Sequence, residues 1–176
     1  MLPPGLKPRL TVVSPFIDKH HGTERCVAEQ IERLAKAYEI HLYSERVEGV
    51  NLQNIQWHPV YVPPGPHLFR YVWWFLSNQA SRWKDRYFHG LVTDVVYSAG
   101  VNCMDADVIS VHMVFAGFWE QVKGDLKLSR NPLKLWPLLI HRRIYYRLCI
   151  LLERWLYANE RTLLAAVSTK AAGDVS

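Results

Sequence analysis

Four groups of residues have side chains whose types and spacing could do chemistry. The first is the stretch Leu10 to Glu24, LTVVSPFIDKHHGTE. An apolar run stops at Ser14-Pro15, a polar loop follows with the single glycine Gly22, then Thr23 stands as a helix N-cap with Glu24 in the first turn. Such a strand–loop–helix unit leaves backbone N–H groups free, so Gly22 and Thr23 can hold an anion; a glycine that merely ends a loop is the plainer reading. The second is His112, just past the apolar run Val108 to Val111, where open α/β sheets place their ligands. A lone histidine is also often a hydrogen-bonded structural residue. The third group is Phe115, Phe118, Trp119 and Glu120 in the stretch Met113 to Asn131, read as a long loop. These aromatics can stack on the flat or apolar face of a ligand or pack their loop onto the domain. The fourth is Arg143, Arg147 and Arg154, which fall within about 40° of one another on a helical wheel.

Metal chemistry finds no support. His20 and His21 could join Cys26 as ligands, but no further ligands follow at the needed spacing. The 3 cysteines, Cys26, Cys103 and Cys149, are far apart and odd in number, which points to reduced thiols in a cytosolic protein. The opening Met1-Leu2-Pro3-Pro4-Gly5 lacks the apolar core of a signal peptide.

Charge separates further classes. The chain carries a formal +5, and the segment from Lys127 to Arg161 holds eight Lys/Arg against only Glu153 and Glu160. The basic excess is therefore local and calls for a local partner. The helix expected over Pro137 to Ala158 cannot span a bilayer, since each arginine near its centre would cost roughly 2.5–3.5 kcal/mol. A basic amphipathic helix can instead lie on an anionic membrane or meet an anionic acceptor. Ile144, Leu148, Leu151, Leu152 and Trp155 form its broad apolar side, expected to pack on the core with the arginines at a solvated edge. No recognisable nucleic-acid motif is present, so nucleic acid is an unlikely partner. A nicotinamide dehydrogenase would want G-x-G-x-x-G after the first strand, where SPFIDKHHGTE has one glycine.

The elements that must position these groups alternate along the chain. A helix from Thr23 to about Tyr38 carries Val27, Ile31, Leu34, Ala35 and Tyr38 on one face at the helical period. Strands are expected at Leu10–Val13, Ile40–Ser44, Asn54–Val62 (interrupted at Pro59), Asp94–Ser98, Val108–Val111 and Thr162–Ser168, with a helix over His67–Gln79 and another begun at Thr169. Alternating β and α elements with apolar, β-branched strands predict a Rossmann-like parallel sheet with helices on both faces, an α/β fold. At 49% hydrophobic residues, 176 residues suffice for one domain with its own core.

The turn His21-Gly22-Thr23-Glu24, the run Asp107-Val108-Ile109 leading to His112, and Glu153 to Ser168 (ERWLYANERTLLAAVS) resemble, in order, the N-terminal domain of retaining glycosyltransferases of the GT-B fold, family four. The family's usual first glycine of the turn is replaced by His21. The resemblance covers nearly the whole chain. It implies a single acceptor-side domain over residues 1–176, cut within its last helix and lacking the second domain that carries the nucleotide-sugar site. It implies that Gly22 and Thr23 meet the donor's phosphates and that His112 contacts the transferred sugar. It places Phe115, Trp119 and Glu120 toward a glycan or lipid-linked acceptor. The transfer implied needs a nucleotide-sugar as substrate and no metal or other cofactor, and this chain alone is expected to be inactive. Its setting would be the cytoplasm, with Arg143, Arg147 and Arg154 on a membrane's inner face or an anionic acceptor. A non-catalytic basic module binding anionic membrane or nucleic acid is the alternative.

Overall fold

A computed structural model describes residues 7–20, 22–168, 171 and 173. Six strands form one parallel sheet: Arg9–Val13 (β1), Glu39–Ser44 (β3), Ile55–Pro59 (β5), Val95–Ala99 (β6), Val108–Val111 (β7) and Leu163–Ala166 (β8). Two short strands, Phe16–Ile17 (β2) and Arg46–Val47 (β4), pair in parallel just beyond the ends of β1 and β3. The main sheet runs β5-β3-β1-β6-β7-β8. Counting only its own strands in chain order, this is 3-2-1-4-5-6, the doubly wound order. The chain winds outward on one side of β1, then returns to its other side, so the switch point lies between β1 and β6.

The central strands are buried on both faces, the edge strands β5 and β8 are largely exposed, and alternate residues divide between two cores. Leu10, Val12, Ile40, Leu42 and Tyr97 meet Val27, Ala28 and Ile31 of the helix Gly22–Leu34 (α1). Val13, Tyr43, Ile109 and Val111 meet the opposite layer, which contributes Trp74, Val114 and Leu156. That layer holds the helices His67–Phe88 (α2), Phe115–Val122 (α3) and Trp136–Tyr157 (α4). The α/β sandwich expected from the alternation of elements is therefore present.

Several boundaries differ from expectation. The helix α1 begins at Gly22, so Thr23 lies inside its first turn and is not the cap. It stops at Leu34 because residues 35–38 turn back, with Ala37 and Tyr38 N–H both bonded to the Leu34 carbonyl, to feed β3. The helix α2 runs nine residues past Gln79, since no breaker intervenes before Gly90, whose φ is +63°. The stretch expected as a loop after Met113 contains α3. The helix expected from Thr169 lies largely outside the described residues, as does His21; Ala171 N–H bonds to Ser168 Oγ at 3.1 Å.

Candidate functional site

The loops leaving the carboxyl ends of β1, β3 and β6 are held close together at the switch point. Pro15 carbonyl accepts bonds from Glu45 N–H (3.0 Å) and from the Ser44 hydroxyl (3.0 Å). Gly100 has φ +82°, a left-handed conformation that strains any residue with a Cβ, and its N–H bonds to the Ser110 carbonyl of β7. Asn102, buried at 7%, follows in the same loop and is bonded by the Asn78 amide of α2 through its carbonyl at 3.1 Å.

Between these loops and α2–α4 opens a cavity of about 450 Å³. Its polar lining comprises Ser14, Thr23 and Glu24 at the start of α1, Glu45, His67, Arg70 and Asn102. Its walls are aromatic: Phe16, Tyr71, Trp74, Phe115 and Tyr145. Tyr145 sits among perpendicular rings, with His67 at 4.5 Å, Tyr71 at 5.4 Å and Phe115 at 6.1 Å between centroids. These edge-to-face contacts fix the walls. Tyr71 hydroxyl donates to the Val101 carbonyl at 2.8 Å, tying α2 to the loop after β6. Burial holds the His67 ring below the ordinary histidine range, assisted by the charges of His141 and Arg70. Arg70 is bonded to Glu45 Oε1 at 2.6 Å.

The wall residue Phe115 is set by a carboxylate on another helix. Glu153 on α4 is 3% exposed, and its two oxygens accept the N–H groups of Phe115 (2.7 Å) and Ala116 (3.2 Å). Val114, at the N-cap, offers no side-chain bond, so Glu153 caps α3 from another helix. Burial raises the Glu153 pKa, and the two N–H bonds act in the opposite direction. Its spacing from Phe115 is 38 residues, beyond any local capping pattern.

The expected site residues divide between places. Thr23 and Phe115 line the cavity together. Gly22 is exposed, and a Cβ there would meet nothing within 4 Å, so its lack of a side chain is not required by packing or by φ. His112 lies apart, lining a smaller recess of about 180 Å³ with Met113, Val114, Gly117, Phe118 and Ser168. Its Nε2 is 3.1 Å from Ser110 Oγ, which in turn lies 2.8 Å from the Tyr97 hydroxyl. Burial depresses the His112 pKa while the Glu24 carboxylate pulls it up, so Glu24 lines the larger cavity and also acts on the histidine. Trp119 is half-buried with its ring 6.0 Å from Tyr146, and Glu120 is exposed and ion-paired to Lys123 one turn on. Neither lines the large cavity. Among the described residues no group of three or more His, Cys, Asp or Glu could hold a metal ion.

On α4, Arg147 and Arg154 are exposed and Arg143 half-buried, and none has an ion-pair partner among the described residues. The apolar side divides, with Leu152 packed against the core as expected and other members turned outward. Ile144 (49% exposed), Leu151 (62%) and Trp155 (55%) face outward beside the arginines, while Leu139, Cys149 and Leu156 serve the core. No described helix is long and apolar enough to cross a membrane.

The fold, a doubly wound parallel sheet flanked by helices, is similar to one domain of a GT-B glycosyltransferase, the fold that the sequence resemblance implied. Among solved structures the chain is similar to WaaG, a glycosyltransferase involved in lipopolysaccharide biosynthesis, with a TM-score of 0.69 and 18% identity. The match covers 94% of this chain and 40% of WaaG, so the chain spans less than half of that protein's length. No family model and no curated protein matches the sequence.

Proposed function

We propose that this chain is the acceptor-side domain of a retaining glycosyltransferase of family four, moving a sugar from a nucleotide-sugar to a glycan or lipid-linked acceptor. The observation that carries the reading is the aromatic cavity at the switch point of a sheet that matches a glycosyltransferase over nearly its whole length here. Ligands of doubly wound sheets bind at that point.

In this reading the exposed N–H groups of Gly22 and Thr23 face the donor's phosphates. The neutral ring of His112 orients the transferred sugar rather than acting as general base, and the departing phosphate takes the acceptor's proton. Phe115 belongs to the acceptor side; Trp119 and Glu120 lie further out on α3, where only an extended acceptor would reach them. The nucleotide is held by a second domain of the same enzyme, and the reading includes no metal or other cofactor. Sugar turnover is assayed with purified residues 1–176 and with the same residues joined to a donor-binding domain. The expected result is transfer by the second alone. Turnover at enzymatic rates by residues 1–176 would overturn the domain assignment, and absence of transfer in both would overturn the transferase reading.

One observation favours a further part of the proposal, seating on the inner face of an anionic membrane. Arginines with no ion-pair partner among the described residues stand beside Ile144, Leu151 and Trp155 on the outer side of α4. Cationic and apolar groups side by side suit the headgroup–acyl boundary. The same face would serve a non-catalytic membrane-binding module, which the transfer assay separates.

A further inference from the structure

A chain of hydrogen bonds runs from His112 at the end of β7 across β6 to α1. His112 Nε2 lies 3.1 Å from Ser110 Oγ, Ser110 Oγ lies 2.8 Å from the Tyr97 hydroxyl, and that hydroxyl lies 2.7 Å from Gln30 Oε1. The two hydroxyls are sealed from solvent, with Ser110 2% and Tyr97 8% exposed, so they must be satisfied within the chain. Each has one proton to give. Gln30 Oε1 can only accept, and the amide nitrogen is turned the other way, donating to Cys26 Sγ at 3.5 Å one turn back on α1. The Tyr97 proton is therefore spent on Gln30. Ser110 must then donate to the Tyr97 oxygen, which leaves Ser110 Oγ an acceptor toward His112. The direction of the chain closes on the histidine: the ring nitrogen that meets Ser110 has to carry the proton.

We infer that Gln30, Tyr97 and Ser110 are positioning residues that fix His112 in its Nε2–H tautomer, leaving Nδ1 as a hydrogen-bond acceptor for a ligand's hydroxyl or N–H. Nδ1 has no hydrogen-bond partner among the described residues, and His112 lines the recess of about 180 Å³. A neutral imidazole with a free Nδ1 takes a donor and offers nothing to a phosphate oxygen; the other tautomer does the opposite. The kind of group this histidine takes is thus decided by an amide on α1, two hydroxyls away. That the group is a hydroxyl of the transferred sugar rests on the transferase reading; the tautomer and its cause rest on the hydrogen bonds alone.

The test reads the ring directly. Long-range proton–nitrogen correlation spectra of the isotope-labelled 176-residue chain at about pH 8, above the ordinary histidine value, separate a protonated ring nitrogen from one with a lone pair. His112→Gln identifies the signals, and the parent should show Nε2 protonated. Gln30→Met keeps length and helix propensity but removes the acceptor. Tyr97 then donates to Ser110, Ser110 donates to Nε2, and the ratio of Nε2–H to Nδ1–H rings should fall about tenfold or more. Gln30→Glu keeps an oxygen toward Tyr97 and should keep the parent tautomer. Tyr97→Phe cuts the chain at its middle and should lose the preference. Melting temperatures show that each variant is folded, and the two variants of half-buried Gln30 keep the inference testable if Tyr97→Phe is not. A parent ring protonated on Nδ1, an unchanged ratio in folded Gln30→Met, or an equal shift in Gln30→Glu would overturn it. In the chain joined to a donor-binding domain, Gln30→Met should lower kcat by about the fraction of rings that change tautomer, and Gln30→Glu should not. A kcat indifferent to the tautomer would remove His112 from the transferase reading and leave the relay standing. A fall in kcat with the tautomer unchanged would overturn the relay.

Discussion

The buried guanidinium of Arg82 holds Asp105 by two hydrogen bonds, of 2.8 Å and 2.5 Å, joining α2 to the loop that leads into β7. Arg82 is 8% exposed, whereas the Asp105 side chain is 49% exposed. Burial pushes the Asp105 carboxyl up, but the bonds and charge of Arg82 outweigh it and hold the group below 3.8. Asp105→Ala should cost about 1.5–3 kcal/mol in urea unfolding, because a buried cation loses its acceptor. Arg82→Met should cost less, since no buried charge is left behind. The folded pKa of Asp105 is depressed, so its contribution is complete above the unfolded value and is lost as pH falls through the folded one. Stability of Asp105→Asn should therefore depend less on pH below about 3.8 than that of the parent.

His112 tests the catalytic part of the reading. Its ring is half-buried and its bond partner is a serine hydroxyl on its own strand, two residues back. If the proposed function holds, His112→Ala in the chain joined to a donor-binding domain should lower kcat by about 10²-fold, as loss of one preorganised polar contact does. Melting temperature should move little. Near-normal kcat with a large fall in melting temperature would make His112 structural.

Two glycines, Gly100 in the cavity lining and Gly22 at the start of α1, should behave oppositely. Gly100→Ala places a Cβ in a left-handed conformation and should cost about 1–2 kcal/mol. Gly22→Ala meets open space at an ordinary φ and should change stability by under about 0.5 kcal/mol. Equal losses in denaturant unfolding would contradict this assignment.

A histidine pair predicts acid sensitivity nearer neutrality. His41 Nδ1 lies 3.1 Å from His58 Nε2, so one ring donates to the other and the bond is lost when both are protonated. Burial lowers both pKa values below 6.5, although Glu39 pulls His41 up and Asp85 pulls His58 up; Arg9 and His89 act with burial. Depressed histidine values give stability that is full above about 6.5 and lost as pH falls through the folded values. Melting temperature should drop between pH 7 and pH 5, and His58→Gln should flatten that drop.

For the outer side of α4, replacing Arg143, Arg147 and Arg154 by Gln should abolish co-sedimentation with vesicles containing anionic lipid. Each arginine is expected to contribute about 1 kcal/mol, fading as salt rises. Replacing Ile144, Leu151 and Trp155 by Ser should weaken binding in a way that salt does not alter. Unchanged sedimentation in both variants would show that this side meets something else.

The sheet was readable because its signal is local. Leu10 to Val13 and Val108 to Val111 are continuous apolar runs, and their order with the intervening helices constrains the topology. The start of a helix near Gly22, though not its cap, and the position of His112 just past β7 were readable for the same reason. What escaped was long-range. Phe115 to Val122 reads as a loop because its cap, Glu153, is far along the chain. Trp74 looks like one more apolar residue in YVWWFL until the fold puts its indole at a cavity wall. Ile144, Leu151 and Trp155 look like core, since an apolar stripe does not tell which neighbour covers it.

The Glu153 cap also sets an order of events during synthesis. An eight-residue helix is far below the length of about 12–15 residues at which helices hold together alone in water. Phe115 leaves the ribosome 38 residues before the carboxylate that fixes its amide. The cavity wall must therefore remain unformed until α4 has been made and has docked, even while β1, β3 and β6 are free to pair. In pulsed amide exchange during refolding, Phe115 and Ala116 should gain protection together with α4 and later than their chain neighbours in β7.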